Sequence, residues 1–360
     1  MNITKIQERY FGFYNWGKRK LIARSVHKTA QKYLENPNIL TKEEKRQIEE
    51  FWSPYGKVDP IYHAFFKEKS GMFHPQWLPT DIYINVIDEY FNDRNATHVM
   101  DDKSLYSRLF LGVPQIEVFA SRMGGLWYDA DLKLIPMDEV KSIVEEHEEL
   151  FVKAATRSYG GKGVQYLSKQ KGSMWEQLQQ AIKMMPGNIV IQKSFRQHPV
   201  YKELNPSSVN TLRIISLLTE NGAKIYSAVV RMGIGEAKVD NASAGGIFCG
   251  IREDHTLKDT AYRLTGESFK THPTNGLVFE GYQLVGYDKA EALVKQAHPL
   301  VPYFRLVSWD VAIDENGDAF LLEANLAKGC LDFHQLTRGP LFGEDTKAIL
   351  DDVFGKKNSK

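Results

Sequence analysis

Cysteine is nearly absent. Cys249 and Cys330 are the two among 360 residues, too few for a disulfide framework, and neither stands at a metal-ligand spacing from histidines. Long apolar runs are missing too. Nothing approaches the ~20 consecutive apolar residues that span a bilayer. The first residues lack the apolar centre of a signal peptide, so a cytoplasmic location is expected. Neither sign of charge dominates: 46 lysines and arginines against 45 aspartates and glutamates leave a net +1, which argues against nucleic acid as the partner. The sequence also lacks internal repeats and low-complexity tracts.

What is present is ample apolar material, 42% of residues, enough for packed cores in two or three subdomains. From Ile6 to about Tyr55, charged and aromatic residues fall at helical spacing, broken at Asn36-Pro37-Asn38, and Thr41 with Glu44 reads as a capping box. Two helices fit there. The first sets Tyr10, Phe11, Phe13, Tyr14 and Trp16 beside Lys18, Arg19, Lys20, Arg24 and Lys28. That pattern suits either a helix with its aromatics in the core, the commoner case, or weak peripheral contact with an anionic membrane. After Asp101, helical stretches alternate with strand candidates at Leu150–Lys153, Asn188–Gln192, Leu212–Leu218, Lys224–Arg231, Ser308–Ile313 and Ala319–Asn325. Asn221-Gly222 and Asn316-Gly317 separate paired candidates and read as hairpin turns. The expected fold class is α+β with antiparallel sheet.

The chemistry concentrates on the last hairpin. Alternate residues of a strand share a face, so Glu323 and Asn325 point together, and a hairpin partner brings Asp310 alongside. Two carboxylates and an amide oxygen suit a hard divalent cation such as Mg²⁺, and the absence of cysteine and histidine disfavours zinc. The alternative is that both acids are ordinary solvated strand residues. Against it, each is flanked by apolar residues, where a charge is costly without a cation or basic partner. A second device is Phe151-Val152-Lys153 followed by Ser158-Tyr159-Gly160-Gly161-Lys162-Gly163, whose glycines let backbone N–H groups turn toward an anion. It is not a Walker A loop, because Lys162 is followed by Gly163. By itself such a turn is more often only a hairpin.

Taken in order, these landmarks resemble the ATP-grasp superfamily, in its sugar-transfer-associated branch. They run from Asp102-Lys103 through Lys153 and the Gly-rich loop, Val190-Ile191-Gln192-Lys193, Asn210 to Arg213, Arg231 and Asp240-Asn241 to the Asp310–Asn325 hairpin. The resemblance implies an ATP-grasp fold in four parts: a mainly helical domain over 1–100, a lid subdomain over 101–190, a core subdomain over 191–345 and a tail over 346–360. It implies ATP held by Lys103, Lys153, Ser158, Gly160, Gly161, Gly163, Ile191, Gln192, Lys193 and Phe195. Gln192 stands where the family often has glutamate. Mg²⁺ would sit on Asp310, Glu323 and Asn325. Arg213, Arg231 and Lys153 would act on the transferred phosphoryl group. Asn210, Arg213, Arg231, Asp240 and Asn241 would position substrate, though Asn210, Asp240 and Asn241 fit plain turn chemistry equally well. His198 is expected to be structural, Trp309 to pack beneath the site, and His334 and Gln335 to lie toward the acceptor side. The implied activity is ATP-dependent joining of a small-molecule carboxylate to an amine through an acyl phosphate, with a uronic acid or amino acid destined for a cell-surface glycan as the carboxylate. A phosphotransferase on the same fold, a peptide-modifying ligase and a non-catalytic nucleotide-binding module are the alternatives.

Overall fold

The computed structural model describes residues 3–156, 163–185, 187–237, 240, 242 and 245–355, with side chains from residue 17 onward except that of residue 98. Two compact units form. The first joins residues 1–92, 264–268 and 330–360, and the second holds 93–263 and 269–329.

The first unit is helical. Its opening helices are Ile3–Tyr33 and Lys42–Trp52, and the second begins with the expected capping box, Thr41 and Glu44 exchanging side-chain and backbone bonds. Helix Ile61–Ser70 packs against Ile3–Tyr33 and against Leu331–Arg338. Gln335 spends its side-chain amide on Leu78, accepting from the N–H and donating to the carbonyl, each at 3.0 Å. Gln335 is thereby a structural tie within this unit. No helix among the described residues is long and apolar enough to cross a membrane.

The second unit is built on two antiparallel sheets. The smaller contains β1 (Val118–Met123), β2 (Leu126–Asp129), β3 (Leu134–Ile135), β4 (Glu149–Ala154), β5 (Val164–Ser168) and β6 (Ile189–Lys193), in the order β3-β2-β1-β6-β4-β5. Helices Met137–Glu146 and Met174–Met184 pack together, the first on β1 and the second on β5, and bury Val140, Val144 and Leu178 against Leu150, Val152 and Ile191. The larger sheet contains β7 (Thr211–Thr219), β8 (Gly222–Met232), β9 (Ile247–Ile251), β10 (Leu257–Tyr262), β11 (Ser268–Phe269), β12 (Leu306–Ile313) and β13 (Ala319–Asn325), in the order β11-β10-β9-β8-β7-β12-β13. Helix Tyr287–Ala297 lies against β7, β8, β12 and β13. The α+β expectation holds, and the six strand candidates correspond to β4, β6, β7, β8, β12 and β13.

Strand β12 is buried throughout, which explains its nearly continuous apolar sequence. Trp309 turns into the core as expected. Its indole donates to Ser216 Oγ at 2.8 Å, and that hydroxyl lies 2.7 Å from His298 Nδ1. The β12–β13 turn differs from a two-residue hairpin of the Asn-Gly type: Gly317 has φ +81 and Asn316 is not left-handed. Asp314 closes the turn instead, its carboxylate accepting from the N–H of Asn316 at 3.0 Å and of Asp318 at 2.7 Å.

Candidate functional site

Pairing of β12 with β13 sets Asp310 opposite Glu323 and Ser308 opposite Asn325, with a bulge after Asp310. Opposed residues share a face of a sheet, so these four rise from one side. Pairing with β7 sets Arg213 opposite Asp310, and β7 in turn sets Thr211 opposite Arg231 on β8. The register alone therefore brings five of the expected site residues together: Arg213, Arg231, Asp310, Glu323 and Asn325.

Their side chains are already paired. Arg213 forks onto Asp310, Nε to Oδ1 and Nη2 to Oδ2 at 2.9 Å, while Arg231 Nη2 reaches Oδ2 at 3.1 Å. Asn325 donates weakly to the same oxygen at 3.4 Å. Arg231 also donates to Thr211 Oγ1 at 3.0 and 2.8 Å and lies 3.3 Å from Asp240. Thr211 gives its N–H, at 3.1 Å, and its hydroxyl to Asp240. Burial would raise the Asp310 carboxyl, but Arg213 and then Arg231 overcome it, and the group is held below the usual carboxylate range. For Asp240 the balance reverses: burial outweighs Arg231, and its pKa is raised. The case for a metal from buried, uncompensated acid at Asp310 is thus corrected, because the compensating charge is arginine.

A second pair lies beside the first. Lys103 Nζ sits 2.9 Å from Glu323 Oε1, and although burial opposes its charge, Glu323 raises the Lys103 pKa overall. Lys103 is aimed by its backbone: its N–H donates to Ala155 at 3.0 Å, and Asp102 caps the next turn through Ser104 at 2.9 Å. Lys153, at the end of β4, is pushed down to about 8 by burial, with Lys103 acting in the same direction. It is a partly buried ammonium whose proton is held less firmly than that of an ordinary lysine.

The edge of β13 is covered by the same segment that carries Lys103. Tyr106 hydroxyl accepts from the N–H of Ala324 at 3.1 Å, between Glu323 and Asn325, and Pro114 carbonyl accepts from Leu321 at 2.9 Å. Neither Tyr106 nor Thr211 stood out in the sequence, since nothing local distinguishes them. Ser308 was missed as well: its buried hydroxyl has no hydrogen-bond partner among the described residues and shares the face of Asp310.

On β6, Gln192 is buried, Ile191 packs in the core of the smaller sheet, and Lys193 is exposed with its Nζ 3.3 Å from Glu117. Phe195 borders a cleft of about 920 Å³ and meets Phe320 edge-on, ring centroids 5.8 Å apart. Asn210 is committed elsewhere, donating to Tyr201 and Asn205 carbonyls at 2.8 and 2.7 Å, so it ties a loop. His198 accepts from Val200 N–H at 3.2 Å and caps a helix, as expected. Gly163 has φ +86, and a Cβ there would stand 3.0 Å from Ala154 Cβ. Ser158, Gly160, Gly161 and Asn241 lie outside the described residues.

The donor set fits a hard cation. Asp310, Glu323 and the Asn325 amide offer oxygen on one face, but no three Asp, Glu, His or Cys among the described residues gather into a metal cluster. Such a site needs oxygens from its ligand to complete a shell, as Mg²⁺ bound to nucleotide phosphates does.

Solved structures similar to this chain include a D-alanine–D-alanine ligase from Coxiella burnetii, at 9% identity and TM-score 0.42 over 74% of this chain and 61% of that one. Another is a biotin carboxylase from Campylobacter jejuni, at 13% identity and TM-score 0.45 over 74% and 48%. A third is VanG D-Ala:D-Ser ligase from Enterococcus faecalis, at 11% identity and TM-score 0.44 over 73% and 63%. The chain thus spans less than two thirds of each. No curated protein matches the sequence. The sugar-transfer associated ATP-grasp family matches residues 85–349, most of the chain, and with the two antiparallel sheets described above this protein belongs to that family and has its fold.

Proposed function

We propose that this protein is an ATP-dependent carboxylate–amine ligase. The observation that supports it best is the meeting of Lys103, Arg213 and Arg231 with the paired carboxylates Asp310 and Glu323 on one sheet face. Phosphoryl transfer asks mainly for such positioned charge. In this reading a carboxylate oxygen of the substrate attacks the γ-phosphorus of ATP, the bond to the β-phosphate oxygen breaks, and ADP leaves. The amine then attacks the acyl carbon, gives up a proton, and phosphate departs with the electron pair of its bond to carbon. Lys153 and Lys103 neutralise phosphate charge, and a nearby polyphosphate favours the protonated form of Lys153. Arg213 and Arg231 hold Asp310 fixed and set positive charge where the transferred group passes. Bound on Asp310, Glu323 and Asn325, Mg²⁺ would supply further neutralisation of the β- and γ-phosphate oxygens.

The family's association with sugar transfer favours a uronic acid or an amino acid joined to a sugar-linked amine, in the cytoplasm where ATP is available. The test is ADP release against a panel of uronic acids, nucleotide sugars and amino acids, with hydroxylamine present to trap an activated acyl group as a hydroxamate. Hydroxamate and ADP in equal amounts are expected. A stable phosphoester in place of hydroxamate makes the protein a phosphotransferase and sinks this reading. Glu323→Gln is expected to cut ADP release by about 100-fold or more while the protein remains folded.

A further inference from the structure

Strand β12 carries one polar side chain that the folded chain leaves without a task. Ser308 is 1% exposed, and its hydroxyl has no hydrogen-bond partner among the described residues. Burying a hydroxyl unpaired is costly, and an alanine at this position would carry no such cost. The other polar side chains of β12 are satisfied: Trp309 donates to Ser216, and Asp310 accepts from Arg213. Register narrows what the Ser308 hydroxyl can meet. Its cross-strand neighbours are Ile215 on β7 and Asn325 on β13. Directly opposed residues hold their Cβ atoms about 4.5–5.5 Å apart, so of these two only Asn325 brings polar atoms within reach.

Asn325 gives its amide N–H to Asp310 Oδ2 at 3.4 Å, so the nitrogen end of the amide faces that carboxylate. It is the wrong end for a cation, because the amide nitrogen is a donor and only the oxygen ligates a hard metal. Setting the oxygen beside the Asp310 and Glu323 carboxylates turns the amide and takes its NH₂ group off Asp310. Asp310 Oδ2 then loses its most distant donor and keeps Arg213 at 2.9 Å and Arg231 at 3.1 Å. The displaced NH₂ needs an acceptor of its own. We propose that Ser308 is the positioning residue of the cation site: its hydroxyl oxygen accepts the Asn325 N–H and so holds the Asn325 oxygen toward a divalent cation shared with Asp310 and Glu323. This rests on the cation assignment made for the ligase. It gives the buried hydroxyl a partner and keeps the weakest of the three ligands, a neutral amide, from turning back.

The full-length chain is titrated with ADP by calorimetry, once with magnesium chloride and once with EDTA. Magnesium is expected to tighten ADP binding by the wild type. Ser308→Ala is expected to lose about fivefold of that gain and to keep its ADP affinity in EDTA. Its urea midpoint is expected to equal or exceed that of wild type, since the hydroxyl removed has no partner in the folded chain. Asn325→Ala loses the magnesium gain by itself, and adding Ser308→Ala to it is expected to change nothing further. A full magnesium gain in Ser308→Ala, an equal loss with magnesium and with EDTA, a lowered urea midpoint, or additive losses in the double variant overturns the proposal. No ADP binding, or no magnesium gain, in the wild type overturns this proposal together with the cation assignment. A magnesium gain that Ser308→Ala weakens, with neither hydroxamate nor ADP released from the acid panel, sinks the ligase reading alone and leaves the role of Ser308 standing.

Discussion

Asp310 and Glu323 face the same way but carry different burdens. Asp310 is 3% exposed and sits between two buried guanidinium groups. Asp310→Asn leaves both arginines short of a counter-charge and is expected to destabilise the protein by about 3–5 kcal/mol, measured by urea unfolding. Glu323 has a side chain 31% exposed and pairs with Lys103, so its replacement is the cleaner test of catalysis. Lys153 carries a pH prediction. Its pKa is pushed down to about 8, so its positive charge is full below that value and fades above it. ATP affinity is therefore expected to fall between pH 7 and 9, and Lys153→Met to remove most of that slope, both measured by calorimetry. The residue types were legible because lysine, arginine and paired acids are rare in strands without a reason. Which cation meets which anion was not, because Arg213 and Asp310 are 97 residues apart and meet only through the β7–β12 register.

At the scale of elements, β13 is an edge strand, and edges leave unpaired backbone groups. The segment carrying Lys103, Tyr106 and Pro114 satisfies them, so one stretch both aims a lysine at Glu323 and holds the strand that presents it. Tyr106→Phe is expected to cost about 1–2 kcal/mol in urea unfolding. It is also expected to raise the magnesium concentration needed for half-maximal ADP release, a readout that mere destabilisation would not move. The six predicted strands were legible because each is a compact apolar run bounded by turn residues. The Thr41 capping box was legible because it closes within three residues. The Tyr106 contact spans 218 residues and leaves no local trace.

At the scale of the whole molecule, the two units share an electrostatic pattern. Burial pushes His63 in one and His298 in the other down to about 4, and pushes Asp332 and Asp101 up to about 6. The histidines take up protons more readily when unfolded, so their contribution to stability is present above pH 6.5 and is lost as pH falls toward 4. The raised aspartates have the opposite sign: the folded state binds their protons more tightly, so stability is gained as pH falls from 6 toward 4. These four contributions oppose one another between pH 6.5 and 4.5. His298→Asn removes one histidine, and its denaturation midpoint should rise relative to wild type as the solution is acidified through that range.

The sequence by itself determined the family, the α+β class and the principal strands, and it marked the charged residues that the proposed function uses. These depend on local periodicity, on turn chemistry and on residue types in order along the chain. Tertiary structure alone decided that Asp310 is neutralised by Arg213 and Arg231, that Glu323 is held by Lys103, and that Asn210 and Gln335 serve packing. Whether a buried charge has a partner depends on which distant strand or helix arrives beside it, and that is fixed by register and packing.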